Sequence, residues 1–197
     1  LKYSEKRISS MGLAGYRKLR VKPYQTSIVD LSLSNDLLRK NLNGKWRNQL
    51  KKSESSLIEL KISNSEKSLA WILNQYSILM KKKSFQGPKI DFYHSLFHKN
   101  GNYLVFKAIH NGNLISGILV SLHGKNCTYQ IGWNGNQGRS INANNFLLWN
   151  AITYMRNNGY CFFDLGGIDK NSNPGVAKFK IGIGGDEATF IGDWISF

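Results

Sequence analysis

The chain has 197 residues, 41% of them hydrophobic and 12% aromatic, which is enough to bury a core and excludes wholesale disorder. Lysine and arginine outnumber aspartate and glutamate by 27 to 12, and the formal net charge of +15 points to a polyanionic partner: nucleic acid, a phosphate-rich small molecule or an anionic membrane surface. A lysine-rich proteome gives the same balance without any ligand, so charge alone does not choose among these. No apolar run reaches the length of a membrane span, and none reads as a secretory segment.

Residues 1–25 begin basic and irregular and read as the tail or remnant of a preceding unit, with the main unit spanning 26–197. A strand is expected over Thr26 to Leu31, then a helix capped by Ser34. Leu38, Leu42, Trp46 and Leu50 recur every four residues, one face of a single helix. Its other faces carry Arg39, Lys40, Lys45, Arg47, Lys51 and Lys52, which suits a phosphate-facing surface and a merely solvated one equally. A second helix is predicted from Ser65 to about Lys82, with Leu69, Leu73, Tyr76 and Met80 inward; its terminal lysines complement the macrodipole without any ligand. "KIDFYHSLFHKNG" reads as a short helix closed by Gly101.

The period then changes to two. "NYLVFKAIH" and "LISGILVSLHG" flank "NGN", the strongest hairpin signal in the chain, and "CTYQIGW" adds a third antiparallel strand. A helix with Phe146, Leu147, Ala151, Ile152 and Met155 on or near its buried side stops at Gly159. "YCFFDLGG" and "EATFIGDWISF" read as the closing strands. The expected fold is α/β, a mixed, mainly antiparallel sheet flanked by helices. Cys127 and Cys161 sit in apolar or aromatic runs and read as free thiols, which fits a reducing compartment. His94 and His98 have i, i+4 spacing but no HExxH glutamate and no further partner, so no metal site is expected.

The turn "GWNGNQGRSINANN", with Arg139 near a helix start, sits where many folds bind phosphate, yet it has neither GxGxxG order nor a Walker GxxxxGK. The stretch "FDLGGIDKNSNPGVAKFKIGIGG" sets unsubstituted backbone beside Lys178 and Lys180, which suits either a ligand loop or a set of tight turns.

Three motifs in order, "KWRNQLKKSE", "LLWNAITYMRNNGYCFFDLGGI" and "GVAKFKIGIGG", make the chain resemble the FemABX peptidyl transferase family from about Thr26 to Trp194. The resemblance implies a GNAT-like (acyl-CoA N-acyltransferase) fold. It also implies transfer of an aminoacyl group from aminoacyl-tRNA to an amine on a cell-wall or surface-polymer precursor, with no resident cofactor. By motif position, Lys180 stabilises the developing negative charge, and Arg47, with the neighbouring Lys45, reaches precursor phosphates. The chemistry agrees: ester aminolysis passes through an oxyanion, for which a fixed ammonium in a partly dry cleft is worth roughly 3 kcal/mol. A guanidinium suits bidentate phosphate contact.

On a strand, Phe179 would face opposite to Lys180 and pin it to the core. Gly166 and Gly167 bend the strand end, and Asp164 either fixes that turn or serves as a base, the structural role being preferred. The family usually carries two such units, of which this chain has length for one, and residues 53–64 are too few for the tRNA-binding helical hairpin of some members. Two other readings stay open: an acyl-CoA-dependent N-acyltransferase acting on a sugar amine or small molecule and holding acetyl-CoA at the "GNQGRSINANN" turn, and a non-catalytic basic binding module. The expected location is cytoplasmic, with peripheral contact to anionic membrane open to the basic face.

Overall fold

The structure is a computed structural model that describes residues 2–97 and 101–196. In chain order it runs α1 (Glu5–Leu13), β1 (Arg17–Lys18), β2 (Gln25–Asp30), α2 (Asn35–Asn41), α3 (Gly44–Glu54), β3 (Glu59–Ser63), α4 (Glu66–Lys83) and α5 (Ile90–Phe97). It continues with β4 (Tyr103–His110), β5 (Asn113–His123), β6 (Asn126–Asn134), α6 (Asn136–Ser140), α7 (Ala143–Asn157), β7 (Phe162–Asp164), α8 (Pro174–Ile181), β8 (Asp186–Thr189) and β9 (Trp194–Ile195).

Local chemistry explains most boundaries. Ser34 and Ser65 cap α2 and α4, their hydroxyls accepting from the amides of Leu37 and Ser68. Asn111 and Gly112, at φ 50° and 75°, close the two-residue turn between β4 and β5, a conformation that asparagine and glycine tolerate best. Gly159 follows α7 at φ 78°.

The Leu38–Leu50 stripe belongs to two helices, not one. The chain leaves helical conformation at Leu42, and the Asn43 side chain caps α3 by accepting from the Lys45 amide. Asn43 followed by Gly44 is a better start than a continuation. All four apolar residues are buried nonetheless. Four elements have no counterpart in the sequence reading: α1, β1, β3 and α6.

Seven strands form one sheet in the order β3-β4-β5-β6-β7-β2-β8, antiparallel throughout except for β6 and β7. The crossover through α7 makes that pair parallel. One face packs α2, α3 and α7 against Phe106, Ile118, Val120, Tyr129 and Phe163; the other packs α4 and α5 against Val105, Leu119 and Ile131. The stretch expected as one closing strand divides into β8 and β9, and β9 pairs with β1 in a separate two-stranded sheet. The Tyr3 amide bonds the Thr189 carbonyl at 2.6 Å and the Leu19 amide bonds the Asp193 carbonyl at 2.8 Å, so the start of the chain is tied to its end.

Cys127 is buried, Cys161 partly so, and both are free. His98 lies outside the described residues. Among the described residues no helix is long and apolar enough to cross a membrane.

Candidate active site

β6 and β7 pair over three residues only, Asn126–Thr128 against Phe162–Asp164, and then separate. Beyond that point the chain after β7 follows β2, with the Leu165 amide bonding Ser27 O at 2.9 Å and the Ile168 amide bonding Gln25 O at 2.8 Å. β6 stays with β5. Their register shifts, Val120 facing Tyr129 and Leu119 facing Ile131, so Gln130 is a bulge residue with no register partner next to the opening, its side-chain amide donating to Ser121 Oγ at 2.9 Å.

Gly166 forms the floor of this split. It sits at φ 72°, and a Cβ there would lie 2.6 Å from the Tyr129 carbonyl oxygen, so the backbones meet only because no side chain intervenes. The Asp164 carboxylate accepts from the Gly166 amide at 2.8 Å and from the Thr26 hydroxyl, which also lies 3.0 Å from Gly166 O. Asp164 thereby ties the turn at Gly166 to β2.

Lys180 enters the split from α8. The sequence reading put this residue on a strand; instead Asn173 caps the Val176 amide, Pro174 opens the helix, and Gly182 follows its end. Phe179 and Lys180 consequently diverge by a helical step rather than pointing to opposite sheet faces. Lys180 is 7% exposed. Its Nζ donates to Gly167 O at 2.8 Å and lies 5.4 Å from the centroid of the buried Tyr129 ring. It takes no part in the three ion pairs found among the described residues.

Burial pulls the Lys180 ammonium down from its ordinary 10.5 to about 8, against the opposing attraction of Asp164. An ammonium has three donors, and the Gly167 carbonyl engages one. What the split holds is a nearly dry positive charge with spare donor capacity.

On the other side of α8 lies a cleft of about 650 Å³ between α3, α7 and α8. Trp46 and Phe179 line it, ring centroids 5.9 Å apart, with the indole Nε1 donating to Phe179 O at 3.0 Å. Asn43, Lys45, Gln49, Asn145 and Lys178 supply its polar lining.

The structure thus gathers Lys180, Asp164, Gly166 and Gly167 at the split, and places Lys45 and Phe179 on the adjoining cleft. Arg47 and Arg139 join neither. The Arg47 guanidinium donates to the carbonyls of Lys40 and Leu42, both at 2.9 Å, and so closes the C-terminal end of α2. Arg139 is exposed on α6, the single helical turn that replaces the expected loop; its amide bonds Gly135 O at 2.9 Å, and Gly138 is packed onto the Ile115 carbonyl. Sequence reasoning missed Thr26 and Tyr129, whose roles depend on strands far apart in the chain, and Gln49 and Asn145, which lay inside quoted stretches without being singled out.

The buried charge has a measurable cost. With the folded value below the unfolded one, the unfolded chain binds more protons between pH 8 and 10.5. The penalty is therefore full below pH 8 and fades as pH rises towards 10.5, amounting to roughly 3 kcal/mol. Lys180→Met is expected to stabilise the fold by about 2 kcal/mol at pH 7, after about 1 kcal/mol for the lost hydrogen bond. Urea unfolding at pH 7 and pH 10 tests this: the advantage should shrink at the higher pH.

The family described as Acetyltransferase (GNAT) domain matches residues 38–180. Among solved structures, FemX superposes with a TM-score of 0.82 at 15% identity, over 96% of this chain and 68% of that one. The structure of L-PGS from Bacillus licheniformis gives 0.61 at 11% identity, over 95% of this chain and 64% of that one. A tandem GNAT protein from the clavulanic acid biosynthesis pathway gives 0.54 at 11% identity, covering 98% and 58%. At these identities the likeness is one of fold, and the chain spans about two thirds or less of each structure's length. No curated protein matches the sequence.

Proposed function

The chain belongs to the acetyltransferase (GNAT) domain family, and from that premise we propose that this acyltransferase domain forms an amide by moving an aminoacyl group from aminoacyl-tRNA to an amine of a cell-wall or surface-polymer precursor. The observation that carries the reading is the buried Lys180 ammonium in the split between β6 and β7, hydrogen-bonded to one carbonyl and free of any ion pair found among the described residues.

In the reaction the acceptor nitrogen attacks the ester carbonyl carbon. The C–N bond forms, the bond to the ribose oxygen breaks, and the proton lost by the amine ends on that oxygen. Between these events the carbonyl oxygen is an oxyanion. Lys180 offers it a charge-assisted hydrogen bond where water is scarce, and the bulge at Gln130 leaves a strand residue without its ladder partner beside the same opening. Lys45 and Lys178, on the rim of the cleft, suit the phosphates of either substrate. The net charge of +15 supports polyanionic substrates, and a basic surface also suits work at the inner face of an anionic membrane. No resident cofactor takes part in this scheme.

The second reading, an acyl-CoA donor held at α6, is favoured by the family match itself. The test is direct. The purified chain is given tRNA charged with a labelled amino acid or labelled acetyl-CoA, together with a lysine-containing muropeptide diphosphate. Label is expected on the acceptor amine from charged tRNA and not from acetyl-CoA; the reverse would sink the RNA-donor reading and leave the amide-forming chemistry standing.

A further inference from the structure

Lys61 on the edge strand β3 and Lys107 on β4 are register partners, so two ammonium groups stand side by side on one face of the sheet. Like charges directly opposite in a sheet are destabilising. A third cation, Lys67 in the first turn of α4, is close enough to act on Lys107, whose ammonium is lowered first by burial and then by repulsion from Lys61 and Lys67. The Lys107 Nζ donates to the Ser68 hydroxyl at 2.8 Å, a neutral partner. None of the ion pairs found among the described residues involves these lysines. Glu59 and Glu66 stand near them in sequence on the same elements, neither within ion-pair distance.

The row continues in aromatic residues. Lys107 is in register with Gly117 of β5, and Gly117 with Trp133 of β6. Trp71 of α4 covers Gly117, where a Cβ would lie 2.5 Å from its ring, and stands at 83° to Trp133 with centroids 5.7 Å apart. Both indoles are partly exposed. Lysines that find no carboxylate, followed by two accessible indoles, suit phosphodiester charge followed by unstacked bases. At ordinary strand spacing the row spans about 10 Å from β4 to β6, and β6 is the strand whose far edge borders the split.

We infer that Lys61, Lys67 and Lys107, with Trp71 and Trp133, form the surface that holds the phosphodiester backbone of an RNA whose 3′ end is led towards the split. This rests on the RNA-donor reading above and assigns that donor a docking surface apart from the chemistry.

The probe is a short RNA stem with a single-stranded 3′ tail, its affinity followed by fluorescence anisotropy across a salt series. Lys61→Ser/Lys107→Ser should weaken binding about tenfold and lower the salt slope by about 1.5 to 2, and Lys67→Ser should lower it by about 1. Lys81→Ser/Lys82→Ser, which removes the same charge at the other end of the 18-residue helix α4, should bind nearly as the parent does. Removing a like-charge pair should leave the melting temperature unchanged or higher, and Lys67, exposed on α4, offers a variant with little effect on folding.

An unchanged slope in the double variant, or an equal loss in the α4 C-terminal control, overturns the assignment. Lys180→Met should bind this RNA normally, so failure of the chemistry and failure of the docking surface are separable.

Discussion

Lys180→Met is expected to slow amide formation by about 100-fold or more while donor affinity stays within about threefold, because the ammonium meets its strongest partner only when the oxyanion forms. A drop in affinity with an unchanged chemical step would assign Lys180 to binding instead. The same variant is the one expected to gain stability, and the pairing of the two effects is diagnostic. A lysine kept for packing would lose stability on replacement; a lysine held at 7% exposure against its own desolvation gives stability back when removed. Lys180→Arg should not rescue the rate, since a planar guanidinium does not fit a pocket closed by the Tyr129 ring and the Gly167 carbonyl.

Gly166→Ala is expected to cost about 2–4 kcal/mol and to abolish transfer in whatever folded fraction remains. The added methyl would need to sit 2.6 Å from the Tyr129 carbonyl at a φ of 72°, where both contact and backbone oppose it. The atom it strikes is backbone of β6, which cannot move without carrying the bulge at Gln130 away from the split. Gly175→Ala makes the control: nothing lies within 4 Å of its added Cβ, and its place in the first turn of α8 should make the change neutral or stabilising by up to about 1 kcal/mol. Urea melts of both proteins, with transfer rates measured below the transition, check the pair. Equal behaviour of the two variants would mean that the close approach at Gly166 does not shape the site.

Much of the fold was legible because its signals are local. Ser34 and Ser65 announce helices, Asn111–Gly112 announces a hairpin, and Gly159 marks the end of α7. The break between α2 and α3 was written in Asn43–Gly44 but hidden by an apolar stripe that ran on undisturbed through Leu42. α1 gave no stripe to read, since none of its residues is buried, and β3 is five residues at a sheet edge with only partial burial.

The misreading of the segment bearing Lys180 as a strand has a different cause. Its valine, phenylalanine and isoleucine suggested a strand, while the decisive residues were the cap at Asn173 and Pro174 beside it. At the site, the motif residues Asp164, Gly166, Gly167 and Lys180 were named from the sequence and do meet. Their partners Thr26 and Tyr129 come from strands that only the fold brings together. Arg47, a motif residue as well, went instead to the carbonyls that the α2–α3 break exposes.

The most direct test of the central claim is the pH dependence of single-turnover amide formation, expressed as the ratio of the parent rate to that of Lys180→Met so that titration of the acceptor amine cancels. If the ammonium stabilises the oxyanion, the ratio is flat at low pH and falls as pH rises through about 8, where Lys180 loses its proton. A ratio that instead climbs through the same pH would show the neutral amine at work as a base, and would contradict the account.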